Sequence, residues 1–231
     1  MTDYTLRNKV MGTGLLAFSN ATLKTARYQV QGREHWQGIL ENKRPLLLTT
    51  WHGSSIVLAG YFLREFEPDK ALVIIPDDEV GGDLGYWIAR LGGHPYHLNL
   101  KGDATMASAR RLADLIKLVK QGFGAFIAPD GPDGPAYVPK PGVAYLAEKT
   151  QAVVLPVSAF TRTAYRVKRW DQKMFPRPYS RISLVIGQPL PAPTKATRSQ
   201  WLVDLATVLH KVTAQAAAYY YDTAYFEKIN G

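Results

Sequence analysis

A histidine placed just after a short apolar run, with acidic and glycine–proline loops after other such runs, is the pattern in this sequence best suited to moving a proton. His52 follows the run Pro45 to Thr50, within Trp51-His52-Gly53-Ser54-Ser55. Imidazole accepts a hydroxyl proton near neutral pH and needs only a carboxylate to orient it. The segment Pro129-Asp130-Gly131-Pro132-Asp133-Gly134-Pro135 follows another run. Its prolines fix the backbone while its glycines permit turns and close approach by a ligand. Polar residues also follow two further runs, as Pro76-Asp77-Asp78-Glu79 and as Ser158 with Arg162 beyond it. Gly53-Ser54-Ser55 does not form the Gly-x-Ser-x-Gly elbow of serine hydrolases. Gly81, Gly82 and Gly85 do not make a phosphate loop. His94 and His97 lack a zinc spacing with a third ligand, and Asp77, Asp78, Glu79 and Asp83 read as a solvated loop with helix-starting acids, so no metal is expected.

The elements that must position these groups alternate. Pro45 to Thr50, Ala71 to Ile75, Gly124 to Ala128, Ala152 to Val157 and Ile182 to Ile186 have the length and β-branched content of buried strands. Helical patterns lie at Ser54 to Phe66, Gly82 to Leu91, Ala104 to Gln121 and Gly142 to Lys149. In the third, Ala109, Leu112, Leu115, Ile116 and Val119 share a face and Gly122 ends the helix. This order predicts an α/β fold, a mostly parallel central sheet covered by helices. Ligands of such sheets bind beyond the carboxyl ends of the strands, which is where the polar loops fall. A last helix, residues 199–219, follows the proline-bearing linker Gln188 to Thr194, and the aromatic end with Tyr225 and Phe226 reads as docked core or interface. The whole chain, residues 1–231, reads as one domain.

Composition narrows the function. The 231 residues include no cysteine, which removes disulfide scaffolds, cysteine-ligated metals and thiol catalysis together. No apolar run reaches the roughly 18–20 residues of a membrane-spanning helix. A formal charge of +9 favours an acidic partner. The densest basic stretch, Thr161 to Arg181, carries Arg162, Arg166, Lys168, Arg169, Lys173, Arg177 and Arg181 against Asp171 alone, with Tyr165, Trp170, Phe175 and Tyr179 interleaved. That mixture suits an anionic membrane face better than nucleic acid in this context. Near the start, Val10 to Phe18 loosely imitates a secretory signal, but Thr13 and two glycines dilute it. An N-terminal amphipathic helix over residues 5–28 accounts for the same segment, with Leu6, Val10, Met11, Leu15, Phe18 and Leu23 as its stripe and Arg7, Lys9, Lys24 and Arg27 among its cations.

Across residues 45–190 the ordered set Trp51-His52-Gly53, Lys101-Gly102, Pro129-Asp130-Gly131-Pro132 with Gly134-Pro135, Lys140-Pro141-Gly142-Val143 and Leu155-Pro156-Val157 resembles the lysophospholipid acyltransferase superfamily. Trp170-Asp171, Phe175-Pro176, Ser180-Arg181 and Gly187-Gln188-Pro189 make it more similar to the DUF374-like branch, related to lipid A lauroyl acyltransferases. The resemblance implies an O-acyltransferase that moves a fatty acyl group from acyl carrier protein or coenzyme A to a hydroxyl of a lipid or glycolipid. No permanently bound cofactor is implied, only the acyl thioester as co-substrate. It places the enzyme in the cytoplasm, peripheral on the inner face of the cell membrane. His52 aligns with the catalytic base, and Trp51, Ser54, Asp78, Lys101, Gly131, Pro132, Gly134, Lys140 and Arg162 are the expected substrate-binding residues. The superfamily's acid five positions after the histidine is replaced here by Val57, so Asp130 is the expected orienting partner, with Asp78 second. Related sequences often carry arginine where this chain has Asp133, which leaves Lys101, Lys140 and Arg162 as candidate phosphate contacts. The absent acid also keeps open a non-enzymatic basic protein that binds lipid or nucleic acid on the same fold.

Overall fold

A computed structural model describes residues 4–42, 44–65, 70–99 and 105–222. The strongest apolar runs form the middle of a seven-stranded sheet, because a strand covered by helices on both faces must be apolar throughout. These are β2 (Leu46–Thr49), β3 (Ala71–Pro76), β5 (Gly124–Ile127) and β6 (Val153–Phe160), with β4 (His94–Leu98) at one edge. All five run parallel. Beyond β6 the direction reverses: β9 (Arg181–Ile186) pairs antiparallel with β6, and β1 (Arg27–Gln31) pairs parallel with β9. The strand order is β1-β9-β6-β2-β5-β3-β4. The mostly parallel, helix-covered architecture expected from the sequence is what the chain adopts.

Helices cover both faces. One core joins α2 (Arg33–Glu41), α3 (Ser55–Glu65) and α4 (Glu79–Arg90) to the sheet through Trp36, Phe62, Trp87 and Phe126. The other joins α5 (Met106–Lys120), α6 (Pro141–Thr150) and α7 (Arg198–Tyr221) through Leu115, Ala144, Trp201 and Leu205. Between β6 and β9 the chain makes a small hairpin, β7 (Ala164–Arg166) and β8 (Met174–Pro176), inside the basic stretch.

The N-terminal helix, α1 (Leu6–Leu23), stops short of the expected span, and Arg27 and Tyr28 belong instead to β1. Its inward line is not the apolar stripe. Leu6, Val10 and Met11 are exposed, whereas Asn8, Gly12, Ser19, Thr22 and Leu23 are buried. Small and polar residues win because α4 lies close: Asn8 Nδ2 donates to Asp83 Oδ1 at 2.9 Å and Trp87 Nε1 donates to Ser19 Oγ at 2.7 Å. The edge strands β1 and β4, the hairpin and α2 escaped the pattern reading. Edge strands are mixed in polarity because only part of their surface is covered, which weakens the apolar signature. Tyr219, Tyr220 and Tyr221 end α7 with Tyr220 buried and Tyr221 exposed, while Tyr225 and Phe226 lie outside the described residues.

Candidate active site

Parallel pairing of β2, β3, β5 and β6 brings the loops after them to one edge of the sheet. His52 begins a short 3-10 turn, His52–Ser54, that leads from β2 into α3. Asp130, which follows β5, is buried and holds this turn by its main chain. The backbone N–H of His52 donates to Asp130 Oδ1 at 3.0 Å and to Oδ2 at 3.4 Å. Burial pushes the Asp130 carboxyl up to about 6, against the backbone N–H groups that favour its ionised form.

The imidazole itself has a different partner. Asp171 Oδ2 lies 2.8 Å from His52 Nδ1, and its side chain is 1% exposed. Asp171 sits on the β7–β8 hairpin, remote in sequence, so Asp130 does not take the position expected of it beside the ring. The reason is topological: Asp130 follows the strand adjacent to β2 and meets the turn's backbone, whereas the hairpin folds over the turn and meets the side chain. Asp78, the second choice, is spent on capping α4, accepting from Gly81 N–H at 2.9 Å.

Three more hairpin contacts shape the site. Trp170 stacks on His52 with ring centroids 5.3 Å apart and planes 26° apart. Lys173 Nζ is 3.7 Å from Asp171 Oδ2 and lines the same cavity as His52. Burial, with the charge of Lys173, lowers the His52 imidazole to about 4 even though Asp171 pulls the other way. Burial likewise lowers the Lys173 ammonium. Burial alone would raise the Asp171 carboxyl, but the hydrogen bond from His52 and the charge of Lys173 hold it below the usual carboxylate range. At neutral pH the site therefore presents a neutral imidazole beside an ionised aspartate.

From His52 a cavity of about 960 Å³ runs between α3 and α4, around the ends of β3 and β5, to α5 and α6. Ile56, Ala59, Trp87, Leu112, Phe126 and Val143 make its wall largely apolar, and Lys140, Lys173 and Arg198 are its cations among the described residues. Gly131 and Pro132 also line it, and Lys140 packs beside Gly131. Gly134 takes a positive φ of 69°, and a Cβ there would lie 2.8 Å from Trp170. Gly134→Ala is therefore expected to destabilise the fold by about 1–3 kcal/mol. Denaturant unfolding measures this, and an unchanged midpoint would mean that Trp170 yields without cost.

Other expected contacts fall elsewhere. Trp51 is buried among Tyr137 and His210 on the α6–α7 side, outside the cavity wall. Ser54 approaches the Ala159 carbonyl at 3.5 Å, and its neighbour Ser55 lines the cavity instead. Arg162 is exposed, 5.9 Å over the Tyr221 ring at the end of α7, away from the cavity. Lys101 lies outside the described residues. The acids after β3 engage cations: Asp77 pairs with Arg111 at 3.2 Å, and Glu79 and Asp83 pair with Arg7. Sequence reasoning missed Asp171, Trp170 and Lys173 as site residues. Two signals bore on Asp171, its isolation as the sole acid in a basic stretch and its place in the Trp170-Asp171 motif, but neither pointed to the imidazole.

A mixed, mostly parallel sheet with helices on both faces is a fold shared with an acyltransferase. The chain is similar to the crystal structure of the 1-acyl-sn-glycerophosphate acyltransferase PlsC from Thermotoga maritima, with a TM-score of 0.55 and 18% identity over 92% of this chain and 82% of that one. In sequence, 38% of the chain is 30% identical, over 89 residues, to an uncharacterized protein of Rickettsia prowazekii (strain Madrid E). The matched segment covers 41% of that relative's length. No family model matches.

Proposed function

We propose that the protein is an O-acyltransferase of the lysophospholipid acyltransferase type, DUF374-like on its motifs, that acylates a hydroxyl of a lipid or glycolipid. The observation that carries this reading is His52 at the wall of a large apolar cavity that would hold a fatty chain. With Nδ1 engaged by Asp171, Nε2 is the ring nitrogen left to act. It takes the acceptor hydroxyl proton as the oxygen attacks the thioester carbonyl carbon. The tetrahedral intermediate then collapses with rupture of the C–S bond, and the imidazolium returns the proton to the leaving thiolate. Acyl carrier protein and coenzyme A are both donors compatible with this chemistry. The sequence argument for a binding-only protein was the missing acid at Val57, and Asp171 answers it. Mass-spectrometric detection of acyl transfer from both carriers to a bacterial lipid extract, wild type against His52→Ala, tests the proposal. A new acylated lipid made only by wild type supports it; equal product from both proteins rejects it.

The same reading places the protein on an anionic membrane surface. Among the described residues no helix is long and apolar enough to cross a membrane. Arg166, Lys168, Arg169 and Arg177 are exposed without an ion pair among the described residues, and Tyr165 and Tyr179 stand 64% and 79% exposed beside them. Aromatic side chains of this kind sit at headgroup level while cations meet anionic lipid. Co-sedimentation with phosphatidylglycerol vesicles is expected to fall as salt rises and on substitution of these four cations by glutamine, by on the order of 100-fold or more. Equal binding to neutral vesicles would reject the surface.

A further inference from the structure

We infer that Asp171, carried on the β7–β8 hairpin, is the positioning residue for His52, in place of the acid that the resembled superfamily carries five residues after its histidine. The inference rests on reading His52 as the base. At the sequence-local position the chain has Val57, fully buried in the core on the α3–α4 side, where a carboxylate would be stranded away from water. The ring nitrogen that such an acid would meet is occupied instead by Asp171 Oδ2 at 2.8 Å.

The surrounding residues are arranged around this contact. A Cβ at residue 53 would lie 2.6 Å from the Asp171 carbonyl oxygen, so only glycine lets the tip of the hairpin settle against the 3-10 turn. The glycine of Trp51-His52-Gly53 thus has a specific physical task in this chain. Val167 N–H donates to the Lys173 carbonyl at 3.1 Å, and Gln172 N–H to the Arg169 carbonyl at 3.1 Å, which closes the tip into a fixed turn. Met174 is buried in the core, and Phe175 meets Phe18 of α1 edge to face at 5.5 Å. Trp170 covers one side of the imidazole, and Lys173 sits on the same carboxylate oxygen as the ring. An ionised Asp171 accepting from Nδ1–H holds the lone pair on Nε2 and stabilises the imidazolium formed when Nε2 takes a proton. Asp130 cannot substitute, because both of its oxygens are turned to the backbone of His52.

Nitrogen-15 NMR of the His52 ring, which needs no turnover, decides the assignment. The native protein is expected to hold the Nδ1-protonated tautomer. Asp171→Ala should shift the ring toward the Nε2-protonated form and lower kcat by at least about 100-fold with KM little changed. Gly53→Ala keeps both side chains but displaces the hairpin, and should shift the tautomer in the same direction. Lys168→Gln, on the outer part of the hairpin, should leave it unchanged. Where Asp171→Ala does not fold, Asp171→Asn preserves the volume and carries the same readouts. A native Nδ1–H tautomer retained in both Asp171 variants, or unaltered kcat in them, overturns the inference. Absence of acyl transfer in every protein, wild type included, counts against the proposed reaction, while the tautomer result still decides the role of Asp171.

Discussion

Replacement of His52 by alanine is expected to lower acyl transfer by about 10²- to 10⁴-fold, the range that a positioned general base contributes. The expectation follows from the surroundings of the ring. Desolvation holds the imidazole neutral at working pH, so the base is ready without prior deprotonation. The loss should fall on kcat more than on KM, because the wall that would seat the acyl chain is made by residues of α3 to α6 and not by the imidazole. Folding should survive, since His52 is at the cavity surface and Asp130 is satisfied by the backbone N–H that alanine retains. Turnover of the extract's acceptor by the variant at wild-type rates would remove His52 from the reaction. A variant that loses thermal stability as well would point to a structural part for the ring.

The pH profile is the second large effect. A neutral imidazole is required, so kcat/KM should fall as pH drops through the His52 value of about 4, well below the ordinary 6.5. Burial lowers this value most, the charge of Lys173 and then that of Arg169 lower it further, and Asp171 raises it. Lys173→Gln is therefore expected to move the acid limb upward, and neutralisation of Asp171 to move what activity remains in the opposite direction. A wild-type limb that stays near 6.5 would contradict the buried, cation-flanked site. Stability follows the same linkage. The lowered His52 value contributes stability that is full above 6.5 and is lost as pH falls toward 4. Asp130, raised from 3.8 to about 6, acts in the other sense, its contribution being lost as pH rises through that window. Between about pH 4 and 6 the two oppose each other, so unfolding free energy should change less with pH than either residue alone would make it.

The contrast between Asp130 and Asp171 shows how far residue type and order carry the site. Asp130 is conspicuous because it opens Asp-Gly-Pro after an apolar run, and it does lie at the histidine, but against its backbone. Asp171 stands among seven Lys and Arg between residues 161 and 181, a setting that reads as a membrane-facing surface. Only the return of the hairpin across the sheet edge buries that one acid while leaving its exposed basic neighbours in water. Similarly, α1 is legible as a helix but not in its facing, because Gly12 and Ser19 become contact residues only once α4 is beside them.

By itself the sequence determined the alternation of apolar runs and amphipathic stretches, hence a mostly parallel, helix-covered sheet with His52 and Asp130 at the same edge. Those features depend on local periodicity and on the direction in which parallel strands must run, and both are written in consecutive residues. The tertiary structure alone decided which carboxylate meets the imidazole, which cations line the cavity and how deep the apolar space runs. Each of these depends on distances between segments far apart in the chain, such as the 119 residues separating His52 from Asp171. Side-chain pairing across such a gap is set by packing of the whole domain, and a local motif such as Trp170-Asp171 does not say which ring its acid will meet.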